Sequence, residues 1–492
     1  MKTKHIATAR QSNIATTLAT AAFIAIAALS CATPACGEQQ CKATINTSKI
    51  INPAISRYLF GINVHYCTNI RMMEYISKWC EVIRWNSGAR ANDYDWLTHY
   101  SNGGPSRGER LAQAISAIRK TFGRDILLIV PLNPRLNEKP AGDIKCLFSV
   151  YGGKKINASK HAAGLAKYLF LNNHRKYGPN TPLDKPYTNV IFEVGNESIM
   201  EYKNVGGKIY ELYSKAFHDY AAAIHKVNRN AKMMGPASIS RAVSSPGCLE
   251  YFLKTNNTEV DLVSFHRYPR GGHFKNVADC LADIEHIGLY VTQAQNKISK
   301  FCSDSPRRKV SDIKVAITEY NAGPCRTCTP KEWIHGVWLA SQLGEFMRKN
   351  VYIATLWKAS GPAGRTIGHR VYASTRSGIN VLPSHYVFVF MHEHSHLNDH
   401  PQLLDISLDN PKSKLRIYPV KHDKGLSVFI INRSPDQSIS LSLDLSGYSK
   451  RTKKAAWYSM DKAETPAPQK AKVTSGNFSA VIKPMSINCL EL

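Results

Sequence analysis

The sequence predicts an α/β fold: a (β/α)8 TIM barrel followed by a C-terminal antiparallel β-sandwich. Eight short apolar runs occur in order between residues 59 and 399, and each ends in polar or aromatic residues. Stretches with helical spacing separate them, which is the alternation that a parallel barrel requires. From about His400 the pattern changes to short strands divided by turn residues, as in a sandwich. A doubly wound open sheet is the alternative, but Gly61-Ile-Asn-Val64 is not the glycine-rich phosphate loop expected there.

The predicted barrel strands are short and apolar, as buried parallel strands are. In chain order they are Leu59–Val64, Val82–Trp85, Ile126–Leu132, Val190–Val194, Lys232–Gly235, Leu262–His266, Val315–Thr318 and Tyr352–Trp357. In the predicted helices, apolar residues recur every three to four positions. These helices are Arg71–Cys80, Glu109–Phe122, Lys160–Tyr177, Lys208–Val227, Val277–Ile298, Glu332–Lys349 and Tyr386–His396.

The predicted sandwich strands follow one another with turn residues between them. They are Leu415–Val420, Leu426–Asn432, Ile439–Leu445, Ala455–Ser459, Phe478–Ile482 and Ser486–Leu492. The segment Cys41–Ile55 precedes the first barrel strand and is expected to add a strand to the sandwich. We therefore predict a signal peptide at 1–35, a segment joining the sandwich at 36–58, the barrel at 59–399 and the sandwich at 400–492.

The first 35 residues have the features of a signal peptide. Lys2, Lys4 and Arg10 precede an uncharged, alanine-rich stretch from about Ile14 to Ala32, and small residues offer cleavage positions. We therefore expect an exported protein that is secreted, periplasmic or on the cell surface, with no integral membrane span after signal removal. A retained anchor is the alternative, since the stretch approaches ~20 residues. Lipoprotein attachment at Cys31 is a weaker one.

The cysteine content predicts disulfide bonds. Twelve cysteines behind an export signal predict some disulfides, whose pairing the sequence does not give. Cys325 and Cys328 form a C-x-x-C, which we interpret as a local bridge or free thiols, because no second pair of zinc ligands follows.

The net charge is +28, and residues 36–400 contribute +19 of it. A basic surface attracts polyanions, although it can also serve only for solubility. Nucleic acid is not the expected partner, because the chain has an export signal and no known binding motif.

Two predicted strands deliver a glutamate to one end of the barrel. Glu197 follows the fourth strand and Glu319 ends the seventh, 122 residues later, which leaves room for about three βα units. Both carboxylates should face one pocket, because the carboxyl ends of parallel strands meet at one rim. Cleavage of a glycosidic bond needs such a pair: one protonated for the leaving oxygen, one ionised to attack the anomeric carbon. Glu193, inside the fourth strand, is a rival acid that we place in the barrel interior.

These motifs resemble those of the clan A glycoside hydrolases. Gly195-Asn196-Glu197 is similar to their acid/base motif on strand four, and Thr318-Glu319-Tyr320-Asn321 to their nucleophile motif on strand seven. Phe60–Asn63, Ile83–Gly88 and Asp93–Trp96 resemble the arabinofuranosidase, xylosidase, heparanase-like and endoglucanase branches. Thr318–Asn321 and Ser264–Pro269 are most similar to the endoglucanase/xyloglucanase branch. The resemblance covers about residues 55–492. Where those families often have Arg-Trp-Pro-Gly-Gly, this chain has Arg84-Trp85-Asn86-Ser87-Gly88, so the branch stays open.

The resemblance also implies supporting roles around the two acids. Asn196 would donate a hydrogen bond to the sugar 2-hydroxyl, and Arg84 would hydrogen-bond Glu319 and keep it ionised. Tyr268 would donate its hydroxyl to Glu319, while His266 would contact sugar or orient a partner. Arg84 as a rim ion pair and His266 as a satisfied core histidine are the structural alternatives.

Aromatic and basic residues complete the predicted site. The resemblance implies that Trp357 forms the floor of the reactive sugar subsite, with core packing as its alternative. Trp85, Asn133 and Tyr320 are subsite candidates on a par with packing. Loop cations could bind an acidic sugar, although loop arginines are more often only solvated. These cations, with one loop histidine, are Arg267, Arg270, His273, Arg326, Lys358 and Arg365.

The sequence therefore predicts a secreted retaining glycoside hydrolase with Glu197 as acid/base and Glu319 as nucleophile, needing no metal or organic cofactor. Its expected partner is a polysaccharide or oligosaccharide, with an acidic glycan (uronic or sulfated) slightly ahead of neutral β-glucan, xylan or arabinan. A non-catalytic carbohydrate-binding protein on a glycosidase-like barrel is the alternative. A metal-dependent hydrolase using His266 and His273 lacks a paired ligand signature. Retention predicts carboxyl groups ~5–5.5 Å apart, and inversion ~6.5–9.5 Å.

Overall fold

The computed structural model describes most of the chain beyond residue 38. The described residues are 39–92, 94, 96, 100–101, 104–105, 109–133, 158–173, 181–198, 209–269, 276–322, 332–362, 370–448 and 455–492. Several predictions lie outside them: the signal peptide, Cys31, Asp93, Asp95, Arg270, His273, Cys325, Arg326, Cys328 and Arg365.

The described strands are numbered in chain order. They are β1 (Gln39–Asn52), β2 (Gly61–Val64), β3 (Val82–Trp85), β4 (Tyr100–Ser101), β5 (Gly104–Pro105), β6 (Leu127–Leu132), β7 (Val190–Val194), β8 (Lys232–Ile239), β9 (Leu262–Arg267), β10 (Lys314–Tyr320), β11 (Ile353–Leu356), β12 (Ser360–Pro362), β13 (Tyr372–Thr375), β14 (Gly378–Val381), β15 (Gln402–Leu408), β16 (Leu415–His422), β17 (Gly425–Asn432), β18 (Ile439–Asp444), β19 (Ala455–Met460), β20 (Gln469–Ala471), β21 (Val473–Thr474), β22 (Asn477–Ile482) and β23 (Ser486–Glu491).

The α-helices are numbered in the same way. They are α1 (Ile70–Ile76), α2 (Leu111–Phe122), α3 (Ala158–Leu171), α4 (Ile209–His225), α5 (Ser240–Ser244), α6 (Cys248–Thr255), α7 (Val277–Ala282), α8 (His286–Phe301), α9 (Trp333–Arg348) and α10 (Pro383–His394). Short 3-10 helices span Arg57–Leu59, Gly88–Asn92, Asp283–Glu285 and Val310–Asp312.

Eight parallel strands close into a barrel in the order β2, β3, β6, β7, β8, β9, β10 and β11, and β11 pairs back onto β2. The predicted TIM barrel is thus confirmed. The strands are buried on both faces, which is why they read as continuous apolar runs. One face packs against the helices, and the other fills the barrel with residues such as Val82, Ile129, Ile191, Met234 and Ile353.

Two connections differ from the predicted helices. The chain between β8 and β9 carries the short helices α5 and α6, which the sequence pattern did not reveal. The predicted helix Val277–Ile298 is divided into α7, a 3-10 turn and α8. At this turn the buried Asp283 carboxylate accepts a hydrogen bond from Arg267 Nη2 at 2.5 Å.

The second domain is one ten-stranded sheet in the order β20, β19, β23, β17, β16, β15, β1, β18, β22 and β21. All neighbours are antiparallel except β1 and β18, which are parallel. The sheet curls over its own apolar core, to which β17 and β23 contribute from one half and β18 and β22 from the other. This agrees with the predicted β-sandwich. The segment ahead of the barrel, β1, lies between β15 and β18.

Two further observations concern the chain as a whole. Among the described helices, none has the length and apolar character needed to cross a membrane. No disulfide joins the cysteines of the described residues, so the expectation of disulfides is not met there. These free, buried cysteines are Cys41, Cys67, Cys80, Cys248, Cys280, Cys302 and Cys489.

Candidate active site

The two predicted glutamates meet at the carboxyl end of the barrel. Glu319 lies near the end of β10, and Glu197 follows β7 with a left-handed backbone (φ 49°). The Glu197 N–H donates to the Ala237 carbonyl of β8 at 2.8 Å, which holds this unusual turn in place. The turn brings the side chain of Glu197 to the same pocket as Glu319.

His266, near the end of β9, lies between the two carboxylates. Its Nδ1 is 2.9 Å from Glu197 Oε1 and 3.7 Å from Glu319 Oε2, and the ring is almost fully buried. One oxygen of Glu197 and one of Glu319 lie within 4.8 Å of each other. This upper bound on the distance between two oxygens is compatible with the ~5–5.5 Å spacing of the carboxyl groups in retaining enzymes.

Arg84 of β3 connects the site to the barrel interior. Its guanidinium is fully buried and donates to Glu319 Oε1 at 2.7 Å and to Asn196 Oδ1 at 3.0 Å. Its Nε donates to Glu193 Oε2 at 2.5 Å, and Glu193 Oε1 accepts from the Thr318 hydroxyl at 2.8 Å. Glu193 is therefore a buried partner of Arg84 beneath the site, as its position inside the strand predicted.

Tyr268 supplies the second donor to Glu319. Its hydroxyl lies 3.0 Å from Glu319 Oε2, so each oxygen of this carboxylate accepts one hydrogen bond from a fixed side chain. Burial, together with the nearby negative charge of Glu319, raises the pKa of the Tyr268 hydroxyl well above its ordinary value. The hydroxyl thus remains a donor at neutral pH.

The electrostatic environment of Glu197 is different. Burial raises the pKa of Glu197, but the hydrogen bond and charge of His266, with a smaller contribution from Arg84, outweigh it. The net pKa is below the ordinary value, so Glu197 is ionised in the free protein near neutral pH. Its side chain is 28% exposed, against 6% for Glu319, which makes Glu197 the more accessible acid.

Two asparagines that the sequence analysis left without a role position these groups. Asn92 Oδ1 accepts from the Asn196 N–H at 2.8 Å, and its Nδ2 donates to the Asn196 carbonyl at 2.6 Å. Asn63 Nδ2 donates to the carbonyls of Thr318 and Thr355, both at 3.0 Å, which ties three strands together. A polar residue inside the apolar run of β2 was a usable signal for Asn63, whereas Asn92 had none.

Trp357 follows β11 and is partly exposed at the same rim. The edge of the His65 ring faces it, with centroids 5.4 Å apart. Gly88, which begins a 3-10 helix after β3, has φ +74°, and a Cβ there would lie 2.4 Å from Trp357 Cη2. The indole therefore lies directly against a glycine, and a larger residue at position 88 would displace the ring.

Other candidates are buried and engaged with neighbouring residues. Trp85 donates its indole N–H to Glu109 at 2.8 Å and is buried, and Tyr320 packs against Phe346 in the core. Asn133 is also buried, and its carbonyl accepts from the Tyr220 hydroxyl at 2.6 Å. Arg267 is paired with Asp283, so it is not available to a ligand.

Cationic groups crowd the wall beside Trp357. Lys358 is half-buried, with Nζ 5.4 Å from the Trp357 ring centroid. Burial and then the charge of Arg90 lower the pKa of Lys358. Burial, followed by the charges of Lys358, Arg90 and Arg84, lowers the pKa of His65 to about 3. Among the described residues, neither Lys358 nor Arg90 forms an ion pair with a carboxylate.

Part of the chain matches a known family of enzymes. The family model for glycosyl hydrolases family 39 matches residues 177–343, which contain both glutamates. No curated protein matches the chain in sequence. These comparisons, with the solved structures below, indicate a retaining glycoside hydrolase.

Solved structures of other glycosidases share the fold of this one. The GH51 α-L-arabinofuranosidase from Thermotoga petrophila RKU-1 is 13% identical, with a TM-score of 0.69 over 92% of this chain and 100% of that one. The GH51 arabinofuranosidase from Xanthomonas axonopodis pv. citri is 14% identical, with a TM-score of 0.67 and the same coverage. A family 44 xyloglucanase from Paenibacillus polymyxa is 14% identical, with a TM-score of 0.62 over 92% and 99%.

Three side chains of the active site are also close enough to one another to hold a metal ion. One atom from each of Glu197, His266 and Glu319 lies within 4.8 Å of the others. However, both oxygens of Glu319 already accept hydrogen bonds, from Arg84 and Tyr268. This arrangement suits an attacking carboxylate and a proton donor.

Proposed function

We propose that this protein is an exported retaining glycosidase in which Glu319 is the nucleophile and Glu197 the acid/base. In the first step a Glu319 oxygen attacks the anomeric carbon while Glu197 gives its proton to the departing glycosidic oxygen. In the second, Glu197 takes a proton from water, which attacks the same carbon and releases Glu319. The short distance between the two carboxylates around His266 is the observation that supports this proposal.

The difference in surroundings supports this assignment of roles. Glu319 is buried and held by two donors, so one geometry for attack is favoured before substrate arrives. Glu197 is more accessible, as a group that must meet both a leaving oxygen and a water molecule has to be. The acid step requires protonated Glu197, and a sugar that excludes water from Glu197 would raise its pKa towards that form.

The preferred substrate, as we propose it, is a glycan with carboxylate or sulfate groups. Lys358 lies beside Trp357 and is half-buried, and the nearby charge of Glu319 offsets only part of the effect of burial and of the charge of Arg90. Neither Lys358 nor Arg90 forms an ion pair with a carboxylate among the described residues. Removing a cation from water is unfavourable unless an anion compensates it. A uronic or sulfated residue next to the reactive sugar would supply that charge. The net charge of +28 would raise the local concentration of such a polymer.

The mechanism is tested by comparing Glu197→Gln and Glu319→Gln on two kinds of substrate. On natural polysaccharides, reducing-end release should fall at least ~10³-fold in both variants. On a glycoside with a good leaving group, Glu197→Gln should still form the glycosyl-enzyme, seen as a burst of leaving group, because little protonation is needed. Glu319→Gln should show no burst, and NMR of the wild-type product should show retained anomeric configuration. A burst in Glu319→Gln, or an inverted product, would contradict the proposal.

The substrate class is tested with Lys358→Met. For an acidic polysaccharide kcat/KM should fall about 10-fold, the effect of losing roughly 1.4 kcal/mol of charge attraction, while neutral glycans should be affected far less. Lys215→Met, which removes an exposed cation from α4 on the outside of the barrel, is the matched control. Equal losses on acidic and neutral glycans would contradict the acidic assignment and leave the mechanism untouched.

A further inference from the structure

A second cluster of potential metal ligands lies where the barrel meets the sandwich, and the glycosidase chemistry does not use it. Helix α10 ends at His394, and His396 follows two residues later. Strand β23 carries Cys489 and Glu491. Residues i and i+2 of a strand point to the same face, and Cys489 belongs to the core that faces the barrel. We call these four residues the junction cluster.

The side chains of the junction cluster converge closely. One ligand atom from each of His394, Cys489 and Glu491 lies within 4.8 Å of the other two. His394 Nδ1 is 2.6 Å from Glu491 Oε1, and His396 Nε2 is 3.3 Å from the same oxygen. Cys489 is fully buried and His394 nearly so, whereas His396 and Glu491 are about one quarter exposed.

His396 is oriented as a metal-binding histidine often is. Its second nitrogen, Nδ1, is 3.4 Å from Asp399 Oδ2, so a carboxylate fixes the ring while Nε2 faces the cluster. Such outer carboxylates orient histidine ligands in many metal sites. The backbone of His396 is left-handed (φ 47°), a conformation uncommon for a residue other than glycine. The surrounding sequence, His392-Glu-His-Ser-His-Leu-Asn-Asp-His400, is also histidine-rich.

We propose that the junction cluster binds one zinc ion, with His394 Nδ1, Cys489 Sγ and Glu491 as ligands and His396 Nε2 as the fourth. A thiolate with two imidazoles and a carboxylate is a ligand set that zinc accepts in tetrahedral geometry. Bond lengths of ~2.0–2.3 Å put tetrahedral ligand atoms about 3.3–3.7 Å apart. The atoms of His394, Cys489 and Glu491 therefore need to move only slightly closer, whereas His396 Nε2 has to turn towards the other three. Binding displaces the thiol proton of Cys489, which leaves to solvent, and His394 binds through Nδ1 as the neutral imidazole with its proton on Nε2.

The junction cluster lies beside an open cleft, and it spans the contact between the barrel and the sandwich. The ring of His396 stacks on that of His422, with centroids 3.9 Å apart, and His422 lines an open cleft of about 520 Å³. His394 ends the last helix of the barrel and His396 follows it, whereas the other two ligands belong to the last strand of the sandwich. Zinc would therefore join the two domains directly, far from the glycosidase carboxylates.

The experiment measures metal binding by the purified full-length protein after treatment with a chelator. Zn²⁺ content after equilibrium dialysis gives the number of sites, and Co²⁺ serves as a spectroscopic probe because a cobalt–thiolate bond has a near-ultraviolet charge-transfer band. Cys489→Ala and Glu491→Gln test the cluster. Cys41→Ala, which removes another buried free cysteine in the sandwich, is the matched control. Glu197→Gln/Glu319→Gln removes the carboxylates of the active site.

We expect one tightly held equivalent of Zn²⁺ and a cobalt–thiolate band in the wild-type protein, in Cys41→Ala and in the active-site double variant. Both should be lost in Cys489→Ala, and affinity should fall at least ~10-fold in Glu491→Gln. Zinc should also raise the unfolding midpoint of the wild-type protein and leave that of Cys489→Ala unchanged. Absence of the band from the wild-type protein, or its persistence in Cys489→Ala, would overturn the proposal. If Cys489→Ala does not fold, the Zn²⁺ affinity of Glu491→Gln decides, and an affinity equal to that of the wild type would overturn the proposal.

Discussion

Arg84 is the residue on which the site depends most. It is the buried cation between two buried carboxylates, Glu193 below and Glu319 above, and it also contacts Asn196. Charges removed from water are tolerated only when partners compensate them. The same guanidinium therefore stabilises the barrel and orients the reacting carboxylate.

These two roles can be separated by substitution. Arg84→Met should lower the free energy of unfolding by about 3–5 kcal/mol, because it leaves two buried carboxylates without a counter-charge. Arg84→Met/Glu193→Gln should recover part of that loss, since one of the uncompensated charges is removed. Glycosidase activity should be absent from both, because Glu319 is no longer oriented. Chemical denaturation and reducing-end assays measure the two effects, and recovery of activity in the double variant would contradict this view.

At the scale of single residues, the sequence predicted the two carboxylates and the side chains that contact them, but it did not predict the asparagines that hold the surrounding backbone. Glu197, Glu319, Arg84, His266 and Tyr268 stand at strand ends in recognisable motifs, and the structure brings all of them to one pocket. The contacts of Asn92 with Asn196 connect residues 104 positions apart, and no local pattern encodes such a pair. The catalytic assignment itself stays a prediction until the variants are measured.

Among the elements, the loop after β3 shapes the sugar-binding surface. Gly88→Ala should move the Trp357 ring, because the added methyl would lie 2.4 Å from Cη2. Its positive φ adds a backbone cost of about 1–2 kcal/mol. Gly123→Ala, at the end of α2 with φ +66° and no atom within 4 Å, carries only the backbone cost. Gly88→Ala should therefore lose more stability than Gly123→Ala, and KM should rise several-fold only in Gly88→Ala. Equal KM values would show that Trp357 does not bind the substrate.

A second element-scale feature lies at the opposite end of β3. Glu81 accepts from Arg124 Nη2 at 2.7 Å and contacts Arg57 and His392, which links the entry of the barrel to α10. Burial alone would raise the pKa of Glu81, but His392, Arg124 and Arg57 together lower it to about 2.

Because the folded pKa lies below the unfolded one, this carboxylate stabilises the fold above about pH 4.5, and the contribution is lost as pH falls towards 2. Urea unfolding at pH 6 and pH 3 should show a smaller acid-induced loss of stability in Glu81→Gln than in the wild type. Identical pH dependence in the two proteins would exclude this role.

Strands were predictable from the sequence where burial gave them a uniform run of apolar residues. All eight barrel strands lie within a few residues of their predicted bounds, since burial on both faces makes them uniformly apolar. Strand β15 was missed although Leu404-Asp-Ile-Ser-Leu408 alternates between apolar and polar residues. Only its start departs from the pattern, because Leu403 faces the barrel core and Leu404 the sandwich core. The small strands β20 and β21 carry too few buried residues to give a signal.

On the scale of the whole molecule, α9 packs against the sandwich without a spacer. A Cβ on Gly344 would lie 2.3 Å from the ring of Tyr418, whose hydroxyl donates to Glu345 at 3.0 Å. On the same helix, the Met347 carbonyl accepts from Asn52 of β1 at 2.7 Å. Barrel and sandwich should consequently unfold together.

Gly344→Ala tests this close packing. It should lower the free energy of unfolding by about 1–3 kcal/mol through steric overlap with Tyr418, with activity per folded molecule unchanged. Gly344→Ala/Tyr418→Leu should lose less than the sum of the two single variants, because the smaller side chain makes room for the methyl. Calorimetry should show one transition in each case. Additive losses would mean that the two residues do not press on each other.

The place of β1 in the sheet imposes an order on biosynthesis. The Lys42 N–H donates to the Asp409 carboxylate at 2.9 Å across 367 positions of the chain, and β1 has neighbours on both sides, β15 and β18. A ribosome therefore completes the first strand of this sheet long before its neighbours exist. Until then β1 has two bare edges, which could pair with other nascent chains. Factors that hold nascent chains apart should affect the yield of this protein more than that of a barrel whose sandwich is contiguous in sequence.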